Sequence, residues 1–186
     1  HLLLLNLIYD ISCTAIPWDH MDAEFLKKPR DWDASSISKF MIYFGPTSSI
    51  FDIITYLFLY FVLCPQFTGG MLYHQLTDPA MKALYIAVFQ SGWFVESMWT
   101  QTLVIHTLRS PKIPFLQSHS SFPVMSLTTM GIVILTLIPF TGLGKEIGLH
   151  PLNATFFIFL GVVVIAYMAL VQVMKNYYVK REGELL

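Results

Sequence analysis

Residues 1–18 read HLLLLNLIYDISCTAIPW, an apolar run that is long enough to cross a membrane or nearly so. Two side chains that carry oxygen interrupt this run, Asn6 and Asp10. A carboxylate in hydrocarbon costs at least roughly 2.5–3.5 kcal/mol, so an acid at this place indicates a functional site. The i, i+4 spacing puts both side chains on one face of a helix. Because amide and carboxylate oxygens are the ligands that Mg²⁺ and Ca²⁺ prefer, the pair is predicted to contribute to a metal site.

A structural alternative exists for each of these two residues. Asp10 would serve as a hydrogen-bonded carboxyl between helices, and Asn6 alone would join helices by a polar contact. The shared face favours the metal-ligand interpretation, and Cys13 and Thr14 extend the same polar stripe by a further turn.

The composition is that of a membrane protein. Hydrophobic residues make up 55% of the 186 residues and charged residues only 12%, whereas an ordinary globular domain is about 25% charged. The net charge of −1 gives no basic field, so a nucleic-acid partner is excluded. The chain has no initiator Met and begins inside a hydrophobic run, so we expect it to be part of a longer polypeptide.

Five membrane-spanning segments are predicted, and all should be α-helices, since a helix satisfies its own backbone polar groups in hydrocarbon. The predicted fold is therefore an all-α integral membrane bundle. The spans are residues 2–18, 40–64, 83–108, 124–140 and 154–174.

The basic residues predict an orientation. If the linkers alternate between the two sides, nine of the 11 Lys and Arg residues share one side with linkers 19–39 and 109–123 and with the C-terminus. Linkers 65–82 and 141–153 hold the other two, Lys82 and Lys145. The positive-inside rule makes the first side cytoplasmic, so the N-terminus is predicted to be external.

Two further acids lie inside predicted spans, Asp52 and Glu96. Glu96 has Gly92 and Thr100 one turn away on either side, and either cation coordination, proton countertransport or a buried structural contact would account for it. Asp52 follows three hydroxyl residues, which favours a structural role over a weak candidacy as a metal ligand. Arg109, at the cytoplasmic end of the third span, is interpreted as an anchor at the membrane surface.

Phosphoryl chemistry is not expected in these residues. The sequence has no glycine-rich phosphate loop, no GxSxG and no Cys/His nucleophile arrangement, so neither a catalytic residue nor a nucleotide site is predicted. The charged segment Met21 to Asp33 is either a solvated loop or a docking strip for a cytoplasmic domain.

Several strings resemble the C-terminal membrane half of P-type cation-transporting ATPases, closest to the bacterial magnesium-transporting type. They are NLIYD at 6–10, AIPWD at 15–19, FGPTSSIFD at 44–52, FQSGWFVES at 89–97 and TQTLVIHTLR at 100–109. Together they cover most of the first three predicted spans, and the last two spans agree in position and character.

The resemblance implies that the five spans are the sixth to tenth helices of a ten-helix pump. It implies that Asn6 and Asp10 bind the transported ion, Mg²⁺, together with groups from the fourth and fifth helices. It also implies that the phosphorylated aspartate and the ATP-binding domain lie elsewhere in the protein. In related calcium pumps an acid on the eighth helix joins the site, and Glu96 is on the comparable helix.

The expected partners are the lipid bilayer of the cell membrane and the remaining helices and cytoplasmic domains of the same pump. A pump for Ca²⁺ or another cation is the first alternative. A secondary transporter or channel subunit without ATP chemistry, and a purely structural membrane protein, are alternatives of other classes.

Overall fold

The computed structural model describes residues 1–20, 34–109, 112 and 118–182, and the regular elements of this part are helices. Within these residues, seven α-helices follow one another. They are α1 (Leu2–Cys13), α2 (Ala34–Phe58), α3 (Cys64–Phe67), α4 (Pro79–Leu108), α5 (Phe122–Leu137), α6 (Gly142–Glu146) and α7 (Ala154–Glu182). The prediction of an all-helical membrane domain is confirmed. The charged segment Met21 to Asp33, predicted to be a loop or a docking strip, lies outside the described residues.

The helix bounds differ from the predicted spans at several ends. The first helix stops at Cys13, and a 3₁₀ turn at Ile16–Trp18 follows it, with Pro17 in its first turn. A π segment, Leu59–Leu63, joins α2 to α3, so this helical rod extends past residue 64. Helix α7 runs eight residues past the predicted end at 174.

The π segment is accommodated by a neighbouring helix. A π turn shifts the hydrogen-bond pattern and leaves backbone groups to be satisfied by other partners. The hydroxyl of Tyr85 in α4 donates to the carbonyl of Tyr60 inside this segment. The irregular turn is therefore joined directly to α4.

Helix α4 lies at the centre of the bundle and packs against α1, α2, α5 and α7. Its start is defined by Asp78, whose side chain accepts from the backbone N–H of Ala80 at 3.0 Å, and by Pro79 at the first helical position. Phe94 and Met98 are completely buried within the larger of two apolar clusters. This central helix sets the positions of the others.

Three helical segments in the described part of the chain are long and apolar enough to cross a membrane: Ser38–Phe67, Phe122–Phe140 and Ala154–Arg181. The stretch Leu2–Trp18 is a shorter apolar helical segment. Helix α4 has 30 residues, many of them polar. Because α4 is surrounded by other helices, many of these polar side chains face protein. The count of five spans and their orientation stay predictions.

One face of α7 is suited to lipid. Ile158, Val162 and Ile165 are 70%, 63% and 72% exposed and recur at helical spacing. On the other side Phe156, Leu160 and Val163 are buried against the bundle. An apolar surface of this kind is stable in a bilayer and costly in water.

Candidate cation site on helix α1

The predicted metal ligands lie on the exposed face of α1. Asn6 and Asp10 are both exposed, and Leu7 between them is 57% exposed. The opposite face carries Leu5 and Ser12, which are each only 1% exposed. The two oxygen-bearing side chains therefore point away from the helices that α1 packs against.

Close packing against α5 and α4 fixes this orientation of α1. A Cβ atom on Gly131 of α5 would stand 3.1 Å from Cγ2 of Ile8 and 3.2 Å from Oγ of Ser12. The Ser12 hydroxyl donates to the carbonyl of Ile8 at 2.9 Å, so it adds no unsatisfied polar group to this contact. The absence of a side chain at Gly131 lets the two helices approach.

The expected extension of the polar stripe is found in part. Thr14 is exposed, but its hydroxyl donates to the carbonyl of Ile11 at 2.6 Å. Cys13 is half-buried as a free thiol. Helix α1 ends here, since Pro17 supplies no backbone N–H and restricts the residue before it.

A groove of about 550 Å³ begins beside the first turn of α1. Apolar and aromatic side chains form most of its walls, together with two polar residues. The lining residues are His1, Leu2, Leu3, Tyr56, Phe89, Gln90 and Trp93, from α1, α2 and α4. It continues the exposed side of α1, because Leu3 is 86% exposed.

The other two candidate acids form a group between α2, α4 and α7. Glu96 is completely buried, and neither of its carboxylate oxygens has a hydrogen-bond partner among the described residues. Asp52 is half-buried and acts electrostatically on Glu96. Tyr167 of α7 interacts electrostatically with both acids and with Tyr9 of α1, and it packs edge-to-face on Phe51 with ring centroids 5.4 Å apart.

The two groups have different near neighbours on α4. Gly92, one turn before Glu96, meets Leu59 of the π segment and Phe156 of α7. Phe94 instead meets the ring of His1, next to α1, with centroids 5.9 Å apart. The structure therefore brings Asp52 and Glu96 together and places Asn6 and Asp10 on one exposed face of α1. The interaction of Tyr167 with Tyr9 connects the first group to α1.

Neither group is a complete metal site. The described residues contain no cluster of three or more His, Cys, Asp or Glu side chains able to hold a metal ion. Magnesium is commonly held by one or two carboxylates plus waters and other oxygen ligands. The Asn6 and Asp10 oxygens fit part of such a ligand set.

The end of the bundle that is predicted to be cytoplasmic holds an ion-pair network that the sequence did not predict. Arg109, just after α4, donates from Nη1 to Oδ2 of Asp19 at 2.9 Å and to the carbonyl of His20 at 3.0 Å. Its Nη2 donates to Oγ of Ser118 at 2.5 Å. The backbone N–H of Ser121 donates to the other oxygen of Asp19 at 2.7 Å. We name this set, Asp19, His20, Arg109, Ser118 and Ser121, the Arg109 network.

The Arg109 network favours the ionised form of Asp19. Burial by itself would raise the pKa of this carboxyl, but the hydrogen bonds from Ser121 and Arg109 outweigh burial and lower the pKa below its ordinary value of 3.8. The only sequence signal was that Asp19 and Arg109 both follow predicted spans on the same side of the membrane. Pairing them required the packing of α1 against α4.

Comparison with known families agrees with this architecture. The family described as "Cation transporting ATPase, C-terminus" matches residues 1–177. The chain belongs to this family. It is thus a multi-pass membrane segment of the cation-transporting ATPase family, and the resemblance to P-type ATPases is confirmed.

Curated members of the family are named magnesium-transporting ATPase, P-type 1. One from Salmonella typhimurium strain LT2 is 45% identical over 184 residues, which is 99% of this chain and 19% of that protein. One from Escherichia coli strain K12 is 38% identical over 183 residues, or 98% of this chain and 19% of that protein. This chain spans about a fifth of the length of these relatives.

Proposed function

We propose that the chain is the C-terminal membrane part of an ATP-driven P-type pump that transports Mg²⁺, and that Asn6 and Asp10 bind the ion during transport. The observation that carries the proposal is the exposed position of this pair on an apolar helix. Both side chains face away from the helices that α1 packs against. The names of the relatives support Mg²⁺ as the transported ion.

The exposed face of α1 and the neighbouring groove are the surface on which further membrane helices of the pump pack. An exposed carboxylate on an apolar helix would be costly against lipid, whereas polar groups from adjacent helices would complete its coordination. The groove walls are largely apolar and aromatic, as an interface with another membrane helix requires. The remaining ion ligands therefore come from outside this chain.

The ligand chemistry suits Mg²⁺. This ion loses its waters reluctantly, so a site with few carboxylates can hold it while it keeps part of its hydration shell. Asp10 supplies the charge and Asn6 supplies a neutral oxygen one turn away. In the proposed cycle, an aspartyl phosphate forms and is hydrolysed in domains outside this chain, and the membrane part alternates between inward and outward access.

Asp52 and Glu96 are not assigned to the magnesium site in this proposal. Glu96 is completely buried and Asp52 is half-buried, whereas Asn6 and Asp10 are exposed. A pump for Ca²⁺ or another cation would be favoured if Glu96 joined Asp10 in binding the ion, since Ca²⁺ takes six to eight oxygen ligands. Whether Glu96 joins Asp10 in binding the ion therefore distinguishes a Ca²⁺ pump from a Mg²⁺ pump.

The test is Asp10→Asn in the full-length protein reconstituted into proteoliposomes. We expect ATP-driven Mg²⁺ flux to be lost, because the amide keeps the size of the carboxyl but removes the charge that holds the ion. The matched control is Glu146→Gln, which removes an exposed acid from α6. Helical circular dichroism and elution volume should be unchanged in both variants.

Two results would overturn the proposal. Wild-type flux in the Asp10→Asn protein would remove the ligand role. Ion flux by the wild-type protein without ATP consumption would instead favour a channel or secondary transporter.

A further inference from the structure

The Arg109 network joins three segments that are distant in sequence. Asp19 follows α1 through the 3₁₀ turn Ile16–Trp18, Arg109 ends α4, and Ser121 precedes α5. The hydrogen bonds therefore connect residues separated by 90 and 102 positions along the chain. They tie together the C-terminal ends of α1 and α4 and the N-terminal end of α5. The same three helices meet at Gly131 and Met98.

The network is well shielded from solvent. The side chains of Arg109 and Asp19 are 10% and 8% exposed. An ion pair of this kind is screened less than a surface pair, and removing one partner leaves the other buried and uncompensated. The guanidinium fork reaches Asp19, His20 and Ser118 at once, which a lysine ammonium on its flexible stem does not reproduce.

Helix α1 transmits the position of Asp19 to the ion-binding pair. Asp10 lies nine residues before Asp19, and the end of α1 and the 3₁₀ turn Ile16–Trp18 connect the two. The face of α1 opposite the pair is packed, so rotating the helix would move the pair and disturb the contacts with Gly131. The connection from Arg109 to the pair is thus short and made of packed, hydrogen-bonded groups.

We propose that Arg109 is a positioning residue for ion transport: through Asp19 it holds the cytoplasmic end of α1 in the rotation that presents Asn6 and Asp10 to the transported cation. This inference rests on the proposed function of that pair. Arg109 itself does not touch the ion. Its removal should therefore change how well the ion binds and leave the ligands themselves intact.

The test measures Mg²⁺ transport by the full-length protein over a range of Mg²⁺ concentrations. In the Arg109→Ala variant we expect the concentration for half-maximal transport to rise by about three- to thirty-fold, in the range of long-range coupling effects, while the maximal rate falls less. Arg109→Lys should recover part of this loss, since it keeps the charge but not the fork. The Asp19→Asn and Arg109→Ala changes should be non-additive, because they remove one interaction.

A second readout follows the rotation of α1 directly. Cys13 lies one turn from Asp10 and is half-buried, so its alkylation rate should change if α1 rotates. We expect a changed rate in Arg109→Ala when the other cysteines of the protein have been replaced.

The control variant is Lys175→Met at the same end of the bundle. The Lys175 ammonium is completely buried and donates to the carbonyls of Thr107 and Lys112 at 2.9 and 2.8 Å. Its loss should lower thermal stability without changing the half-maximal Mg²⁺ concentration or the Cys13 rate. This separates a positioning role from general destabilisation.

The failure of this inference is distinguishable from failure of the proposed function. If Asp10→Asn abolishes transport while Arg109→Ala changes neither the half-maximal concentration nor the Cys13 rate, the positioning role is wrong and the ligand role stands. If Arg109→Ala and Lys175→Met change both quantities alike, the effect is structural and the inference is also wrong. If Asp10→Asn transports normally, the function itself is wrong.

Discussion

At the residue scale, the candidate acids Asp10 and Glu96 differ in their surroundings. Asp10 is exposed on α1, whereas Glu96 is completely buried with no hydrogen-bond partner for either carboxylate oxygen in the described part of the chain. An exposed carboxylate oxygen can bind a cation whose remaining ligands come from other helices. A buried carboxyl without a hydrogen-bond partner lowers the stability of the fold, so it needs either compensating packing or a functional role.

Glu96→Gln is expected to leave Mg²⁺ transport intact. The amide has the same size, it occupies the side of α4 that faces α2 and α7, and it carries no charge to bury. The half-maximal Mg²⁺ concentration of the full-length pump should stay within about twofold of the wild type, a change below 0.5 kcal/mol. Its thermal unfolding midpoint should not fall.

Asp10→Asn, measured in the same assay, is the comparison for this prediction. A Glu96→Gln protein that lost transport as completely as Asp10→Asn would show that both acids bind the ion. That result would favour a larger, acid-rich site of the kind that suits Ca²⁺.

The sequence was sufficient to single out Asn6 and Asp10 as a pair, because helical spacing is a local property. It was not sufficient to pair Asp19 with Arg109, since the two residues are 90 positions apart and their contact depends on how α1 packs on α4. The cost of placing a carboxyl in hydrocarbon identified Glu96 as a candidate site residue, but the sequence did not show which helices surround it. Contacts between helices were the part that local patterns do not determine.

At the element scale, the close approach of α1 and α5 depends on Gly131. The atoms nearest to a Cβ atom at this position belong to Ile8 and Ser12, on the packed face of α1. Small residues at helix contacts let backbones approach closely in membranes, where the contact itself is a main source of stability. A larger side chain would push α1 away from the bundle.

Gly131→Leu should destabilise the protein by about 1–3 kcal/mol, the range for overpacking a well-packed contact. It should also raise the half-maximal Mg²⁺ concentration, because α1 carries the proposed ligands. The unfolding midpoint of the full-length protein in detergent and its transport curve measure the two effects.

Gly161→Leu is the matched control, since nothing lies within 4 Å of a Cβ atom at this position on α7. It exchanges the same residue types inside a helix and should be neutral or slightly stabilising. Equal losses in both variants would mean that the glycine contact does not position α1.

Helix ends were predicted less well than helices, for physical reasons visible in α1 and α7. Apolar composition continues through Trp18, but Pro17 breaks the hydrogen-bond pattern, so the α-helix stops at Cys13. In α7 the apolar run ends near Met174, yet the helix continues to Glu182, because Tyr178 packs with Phe40 and Tyr43 of α2. Apolar composition indicates which residues lie in the membrane, whereas proline and side-chain packing determine where each helix ends.

At the scale of the whole molecule, the predicted orientation follows from the distribution of basic residues, nine against two. Lys145 and Lys180 are exposed and lie beyond opposite ends of the apolar part of α7. At about 1.5 Å per residue, the 29 residues of α7 exceed the roughly 30 Å thickness of the hydrocarbon core. The two lysines are therefore predicted to be on opposite sides of the membrane.

Single-cysteine variants of the full-length protein test this orientation in sealed right-side-out vesicles. Lys145→Cys should react with a membrane-impermeant maleimide without further treatment, whereas Lys180→Cys should react only after the vesicles are opened. The reverse pattern would invert the orientation, and with it the side on which the Arg109 network lies. Labelling of both cysteines in sealed vesicles would mean that α7 does not cross the membrane, contrary to a topology in which the N-terminus is external and the C-terminus is cytoplasmic.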